Sequence, residues 1–143
     1  MNLIIIDSGK VCFNGNTLNV RGLGGSESAI ILLSKELVKI GFNVTVLNTC
    51  KSNTCIPGTF DNVTYIDKSD IGNIHDNFDI VISSRSVLPF ISNYSFISSN
   101  SYKIVWLHDT FCEGDEYLEE LVLNHTIDEI FTLSDFHTNY ISN

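Results

Sequence analysis

The feature of this sequence that most limits its fold is a series of short apolar runs, rich in Ile and Val, along its 143 residues. Helix-patterned or polar segments separate these runs, which is the rhythm of β-α-β units around a parallel sheet. We therefore predict one α/β domain over residues 1–143, with a Rossmann-like parallel sheet and helices on both faces. The predicted strands are Leu3–Ile6, Val44–Leu47, Val63–Ile66, Ile80–Ile82, Ile104–Leu107 and Ile130–Leu133.

The segments between the strands predict the helices. "SESAIILLSKELVKIG" carries apolar residues at helical spacing, with Ser26 as the predicted cap and Gly41 as the predicted end. "EYLEELVLNH" predicts a second helix, and "SDFHTNYISN" begins a third that Ser134 caps. Around Asn14 and Gly15, by contrast, two short strand-like arms favour a hairpin or an ordered loop that projects beyond the sheet edge.

Charge and composition exclude several classes of function. The formal charge of −9 argues against nucleic acid as a partner, because nucleic-acid binders usually carry a basic patch. The run "NLIIID" is too short for a signal-peptide core or an integral membrane segment. The cysteines lack the spacing of a zinc site, so we expect free thiols and no metal. These features favour a soluble, cytoplasmic protein, either free or peripheral to a membrane.

Two glycines, Gly24 and Gly25, stand before the long helix, where free backbone N–H groups can receive a phosphate. The dinucleotide fingerprint GxGxxG fails, because Glu27 takes the place of its third glycine and a long loop separates Ile6 from Gly24. A P-loop fails too, since no Gly-Lys-Ser/Thr follows. What remains is a long loop that brings backbone N–H groups over a ligand at the sheet's carboxyl edge. The alternative is that the glycines only relieve crowding.

Three stretches of the chain resemble one family. "GLGGSESAIILLSKELVKIGFNVTVLN" resembles the Gly-Gly-x-Glu signature after the first strand of the retaining glycosyltransferases of family 4, which have the GT-B fold. "KIVWLHDTF" is similar to the strand of that family that ends in a His-Asp pair, and "IDEIFTLSDFHTNYI" to its later strand and Ser-capped helix. The resemblance covers nearly the whole chain, as the amino-terminal, acceptor-side half of a two-domain enzyme. Phe42 replaces the family's usual His.

This resemblance implies an activity and a set of site residues. The implied reaction transfers a sugar from a nucleotide-sugar donor to a hydroxyl of a sugar or glycan acceptor, with retention and without a metal or other cofactor. It implies a catalytic role for His108 beside the donor sugar. It implies that Gly24 and Gly25 contact the donor phosphates. As further residues for phosphate or substrate binding we predict Ser26, Glu27, Arg85, Asp109 and Ser134. The family's carboxyl-terminal, donor-binding domain is absent from these residues, so we expect this chain alone to be inactive.

Several of these residues have alternative interpretations. His108 and Asp109 could form a structural hydrogen-bonded pair, and Arg85 could hold a carboxylate or phosphate or make a surface salt bridge. Many members of the family carry histidines where this chain has Ser83, Ser84 and Arg85, which leaves the acceptor chemistry open. The carboxylates of "CEGDEYLEE" predict a solvated helix start rather than a metal or acid-base cluster.

Two other classes of function remain open. A sheet of this kind could be a stand-alone module that binds a sugar or nucleotide without reacting it. A Rossmann-type epimerase or dehydrogenase is disfavoured by the failed fingerprint, although binding of NAD would restore it.

Overall fold

The structure is a computed structural model that describes residues 1–142. Its centre is a seven-stranded sheet flanked by helices, which confirms the predicted α/β class. The strands are β1 Asn2–Asp7, β2 Asn43–Asn48, β3 Gly58–Phe60, β4 Val63–Asp67, β5 Ile80–Ser84, β6 Tyr102–Trp106 and β7 Glu129–Phe131. The α-helices are α1 Thr17–Val20, α2 Gly25–Lys39, α3 Leu88–Ile91, α4 Leu118–Leu123 and α5 Asp135–Ile141, with 3₁₀ turns at Lys68–Asn73 and Asp115–Tyr117.

The strand order is β3-β4-β2-β1-β5-β6-β7. Only β3, which the sequence did not predict, runs antiparallel to its neighbour. Numbered along the chain, the parallel strands have the order 3-2-1-4-5-6 that is typical of Rossmann folds. The direction of winding reverses between β1 and β5. The carboxyl ends of these two strands flank the crevice where open α/β sheets usually bind ligands.

The two faces of the sheet are covered differently. On one face, Leu3 and Ile5 of β1 pack in a cluster with Ile30 and Ile31 of α2. On the other face, Ile4 and Ile6 belong to a cluster with the phenylalanines Phe78 and Phe96, which lie in irregular segments. Alternate residues of a strand point to opposite faces, which explains why residues 3–6 of β1 are all apolar. Within residues 1–142, no helix is both long and apolar enough to cross a membrane.

Of the two alternatives predicted around Asn14 and Gly15, the hairpin is wrong, and the segment is an ordered loop that contains α1. The Asn14 backbone N–H donates to Thr17 Oγ1 (2.9 Å), and the Asn16 N–H donates to Asn14 Oδ1 (3.0 Å). These local bonds start α1 instead of a strand pair. Phe13 is fully buried against Tyr65, with ring centroids 6.5 Å apart. The segment therefore packs onto the sheet and does not project beyond its edge.

Two of the three predicted helix boundaries are confirmed. Gly24, not Ser26, is the N-cap of α2, and no side chain caps its first turn. The Ser26 prediction is wrong because the helix begins one residue earlier, at Gly25. Gly41 follows the helix end with φ +100°, a conformation that suits glycine. Ser134 caps α5 as predicted, accepting a hydrogen bond from the His137 N–H (3.2 Å).

Candidate functional site

An ion pair marks the point where the strand order reverses. Arg85 follows β5 directly, and its Nη2 lies 2.8 Å from Oδ1 of Asp7, the last residue of β1. The same nitrogen lies 3.3 Å from Glu27 Oε1, in the first turn of α2. Asp7 is fully buried and Glu27 is 4% exposed. Because a buried carboxylate without a partner is strongly destabilising, the contacts with Arg85 stabilise the burial of both side chains.

The backbone of Arg85 is held in a conformation that is uncommon for a residue with a side chain, with φ +64°. Its N–H donates to the Trp106 carbonyl (2.9 Å), and its own carbonyl accepts from the Glu113 N–H (2.8 Å). These bonds tie the end of β5 to the end of β6 and to the segment that follows β6. The surrounding structure thus fixes the conformation that brings the guanidinium over β1.

Gly9 was missed by the sequence analysis. A Cβ built on Gly9 would collide with the Arg85 guanidinium and lie 2.9 Å from Asp7 Oδ2. The missing side chain therefore makes room for the ion pair. A glycine two residues after a strand-ending carboxylate was the available signal, and its meaning depends on which strand lies next to β1.

Gly24 and Gly25 do different things. A Cβ on Gly24 would collide with Glu27 Oε2, so this glycine leaves room for the Glu27 carboxylate. A Cβ on Gly25 would meet nothing within 4 Å. Because no side chain caps the first turn of α2, its N–H groups are available to a ligand. Crowding accounts for Gly24 but not for Gly25.

His108 lies just beyond β6 at the same edge of the sheet. Its ring is half-buried against Trp106, with ring centroids 4.2 Å apart. Burial first, and the charge of Arg85 second, lower the pKa of His108 below its usual value, although Asp7 and Glu27 act in the opposite direction. The imidazole is therefore neutral at pH 7. Its Nε2 is buried and has no hydrogen-bond partner among the described residues.

Asp109 and Ser134 take part in local structure. The Asp109 Oδ1 accepts from the Phe111 N–H (2.9 Å), and within the described part of the chain no hydrogen bond joins it to His108. The alternative of a hydrogen-bonded His-Asp pair is thus wrong. The Ser134 hydroxyl is engaged in capping α5, and no hydrogen bond within residues 1–142 links it to Asp7, Glu27 or Arg85.

Two cavities open beside the ion pair. One, of about 310 Å³, is lined by Ser8, Gly9, Arg85, Asp109, Phe111 and Glu113. The second, of about 330 Å³, has Asp7, Lys68 and Tyr94 among its lining residues. Sequence analysis missed Lys68, whose Nζ donates to the Gly9 carbonyl (2.8 Å) and whose pKa burial lowers.

The acidic run at residues 113–120 is exposed at its carboxylates, as predicted. Across the described residues, no group of three or more His, Cys, Asp or Glu side chains is arranged to hold a metal ion. The described cysteines, Cys12, Cys50, Cys55 and Cys112, are all free thiols, as expected.

No family model, curated protein or solved structure gives a significant match to this chain. Function therefore has to be argued from the residues at the carboxyl edge of the sheet, because the Rossmann-like architecture hosts many activities.

Proposed function

We propose that this chain is the acceptor-side domain of a retaining glycosyltransferase of GT-B architecture. It would act in transfer of a sugar from a nucleotide-sugar to a hydroxyl of a sugar or glycan. The observation that carries this proposal is the uncapped N-terminus of α2, open at Gly25, beside the strand-order reversal where Arg85 and His108 also lie. Phosphates bind well at such helix ends, and α/β sheets take ligands at this position.

In this proposal the donor phosphates accept hydrogen bonds from the first-turn N–H groups of α2. The negative charge of Glu27 stands close by and would repel a phosphate if it were alone. Arg85, 3.3 Å from Glu27 and 2.8 Å from Asp7, offsets that repulsion. A side chain at Gly25 would occupy the open space at the helix end, so this is the position where a substitution blocks the ligand without disturbing the protein.

His108 orients the donor sugar as a neutral hydrogen-bonding group. Its lowered pKa keeps it uncharged at neutral pH, so it can accept as well as donate. Its Nε2 is buried, so a hydrogen bond from this nitrogen to a sugar requires a local rearrangement around the ring. The proposal uses no metal or cofactor. The second domain of a GT-B enzyme would complete the cleft, and the chain alone would not turn over.

A second candidate is a module that binds a nucleotide-sugar or sugar without catalysis. The specific observation in its favour is the buried Nε2 of His108, which leaves this nitrogen without access to a ligand in the present arrangement. Affinity separates the two candidates. Half of a cleft binds weakly, in the millimolar range, whereas a complete module binds tightly.

The test is a titration of the chain with uridine- and guanosine-diphosphate sugars, followed by amide resonances. We expect millimolar binding that perturbs Gly24, Gly25 and Glu27, and loss of that perturbation in Gly25→Val. Gly72→Val is the matched control, because Gly72 also has nothing within 4 Å of an added Cβ but lies on a different segment. Absence of binding, or binding of NAD in its place, would remove the proposed function.

A further inference from the structure

We propose that the cavity of about 310 Å³ next to Arg85 binds a single sugar ring that carries no negative charge, and that it prefers an amino sugar. Its volume stands at the lower end of the range for ligand pockets, about 300–1,000 Å³, which suits one ring. Use of this ring as the acceptor rests on the proposed function; the binding itself does not.

An exposed aromatic ring stands at this cavity. Phe111 is 66% exposed, whereas the next residue, Cys112, is 3% exposed. The hydrogen bond from the Phe111 N–H to Asp109 fixes the backbone at this point. A phenyl ring in such a position offers a flat apolar face to the C–H groups of a sugar ring, and contact with a ligand would remove it from water.

Hydrogen-bonding groups surround the same space. The Asp109 Oδ2 and both carboxylate oxygens of Glu113 have no hydrogen-bond partner within residues 1–142, so they are available to accept from hydroxyls or an ammonium. The loop that carries them is braced, because the Glu113 N–H donates to the Arg85 carbonyl (2.8 Å) and its carbonyl accepts from the Val87 N–H (2.9 Å). The backbone of Glu113 is thus already ordered, so binding of a ligand has to order only its side chain.

The charges around the cavity determine which sugars fit. Asp109 and Glu113 line it, and the positive charge of Arg85 is already shared between Asp7 and Glu27. Lys68 is the other nearby cation, and it is bound to the Gly9 carbonyl. Carboxylates therefore outnumber cations, so the site attracts an ammonium and repels a phosphate ester.

The experiment titrates the chain with methyl glucoside, glucosamine and glucose 6-phosphate near pH 6, following amide resonances. We expect glucosamine to bind about 3- to 10-fold more tightly than methyl glucoside, and glucose 6-phosphate not to bind. Phe111→Ala should weaken binding of both sugars by about 3- to 10-fold. Glu113→Gln should abolish the preference for glucosamine and keep the affinity for methyl glucoside.

Phe136→Ala and Glu120→Gln are the matched controls, because both residues are exposed and lie on α5 and α4. They should leave all affinities unchanged. The proposal is overturned if neither sugar perturbs Gly9, Phe111 or Glu113, or if glucose 6-phosphate binds as well as glucosamine. Sugar binding without nucleotide-sugar binding would uphold this site and remove the proposed function. Nucleotide-sugar binding without sugar binding would do the opposite.

Discussion

The Asp7 carboxylate and the Arg85 guanidinium lie 2.8 Å apart, at the ends of two adjacent strands that the chain leaves toward opposite faces of the sheet. Asp7 is fully buried, whereas the Arg85 side chain retains 21% of its exposure and reaches a cavity. One contact thus joins the inside of the protein to the surface where a ligand would bind.

Loss of this ion pair should destabilise the fold. Arg85→Met would leave Asp7 buried without a cation, and we expect a loss of about 2–4 kcal/mol in the free energy of unfolding, measured in urea. The control is Lys35→Met, which breaks a pair with Asp61 (2.7 Å), whose carboxylate is exposed and not buried like that of Asp7; it should cost less than about 1 kcal/mol. Adding Asp7→Asn to Arg85→Met should recover part of the loss. Equal effects of the two single variants would contradict a structural role for the buried pair.

Substitution by alanine should affect stability differently at Gly9 and at Gly25. Gly9→Ala displaces the Arg85 guanidinium and should cost about 1–3 kcal/mol, whereas Gly25→Ala should change stability by no more than about 0.5 kcal/mol. The cost of Gly9→Ala should shrink in the Arg85→Met background, because the clash is with that side chain. An unchanged cost in the double variant would show that Gly9 acts through the backbone instead.

His108 gives stability a pH dependence. Its pKa is lowered in the folded protein, so below the unfolded-state pKa the unfolded chain binds the proton more readily than the folded one. Stability should therefore fall as the pH decreases from about 6.5 toward the folded pKa, and it should rise again as the pH increases. Thermal unfolding at several pH values measures this slope. His108→Gln should flatten it, and an unchanged slope in this variant would contradict the role of His108.

Burial of Phe13 should be important for stability. We expect Phe13→Ala to cost about 3–5 kcal/mol, because the ring is fully buried in the cluster beneath α2. Val11→Ala, at a position 42% exposed, should cost less than about 0.5 kcal/mol. A hairpin that projects from the sheet would make both substitutions mild, and denaturant unfolding distinguishes the two cases.

The strands that the sequence predicts are those whose signal is local. β1 and β2 each contain three consecutive β-branched residues, Ile4–Ile6 and residues 44–46, and both strands overlap their predictions. β3 was not predicted because Gly58–Phe60 is too short a run to give a strand signal. A turn at Asp61 and Asn62, both with positive φ, pairs it with β4. At Asn14-Gly15 a local turn signal is present, but the hairpin that it predicts does not form. Burial of Phe13 outweighs the local preference for that turn.

At the candidate site, the sequence could place residues at strand ends but could not pair them. Arg85 and His108 were correctly expected at carboxyl ends of parallel strands. That Arg85 would contact Asp7 depends on β5 lying next to β1, a neighbour relation between segments far apart in sequence. The roles of Gly9 and Lys68 depend on the pairing of β1 with β5, so their local sequence was not sufficient to identify them.

Both outer strands of the sheet are only three residues long, β3 at one side and β7 at the other. A long exposed strand presents a row of unpaired N–H and C=O groups on which another chain can continue the sheet. Edge strands of three residues expose few such unpaired groups. The hydrophobic inner strands would aggregate readily if they were exposed. Because the strands on either side of them are so short, they are kept from pairing with strands of other molecules.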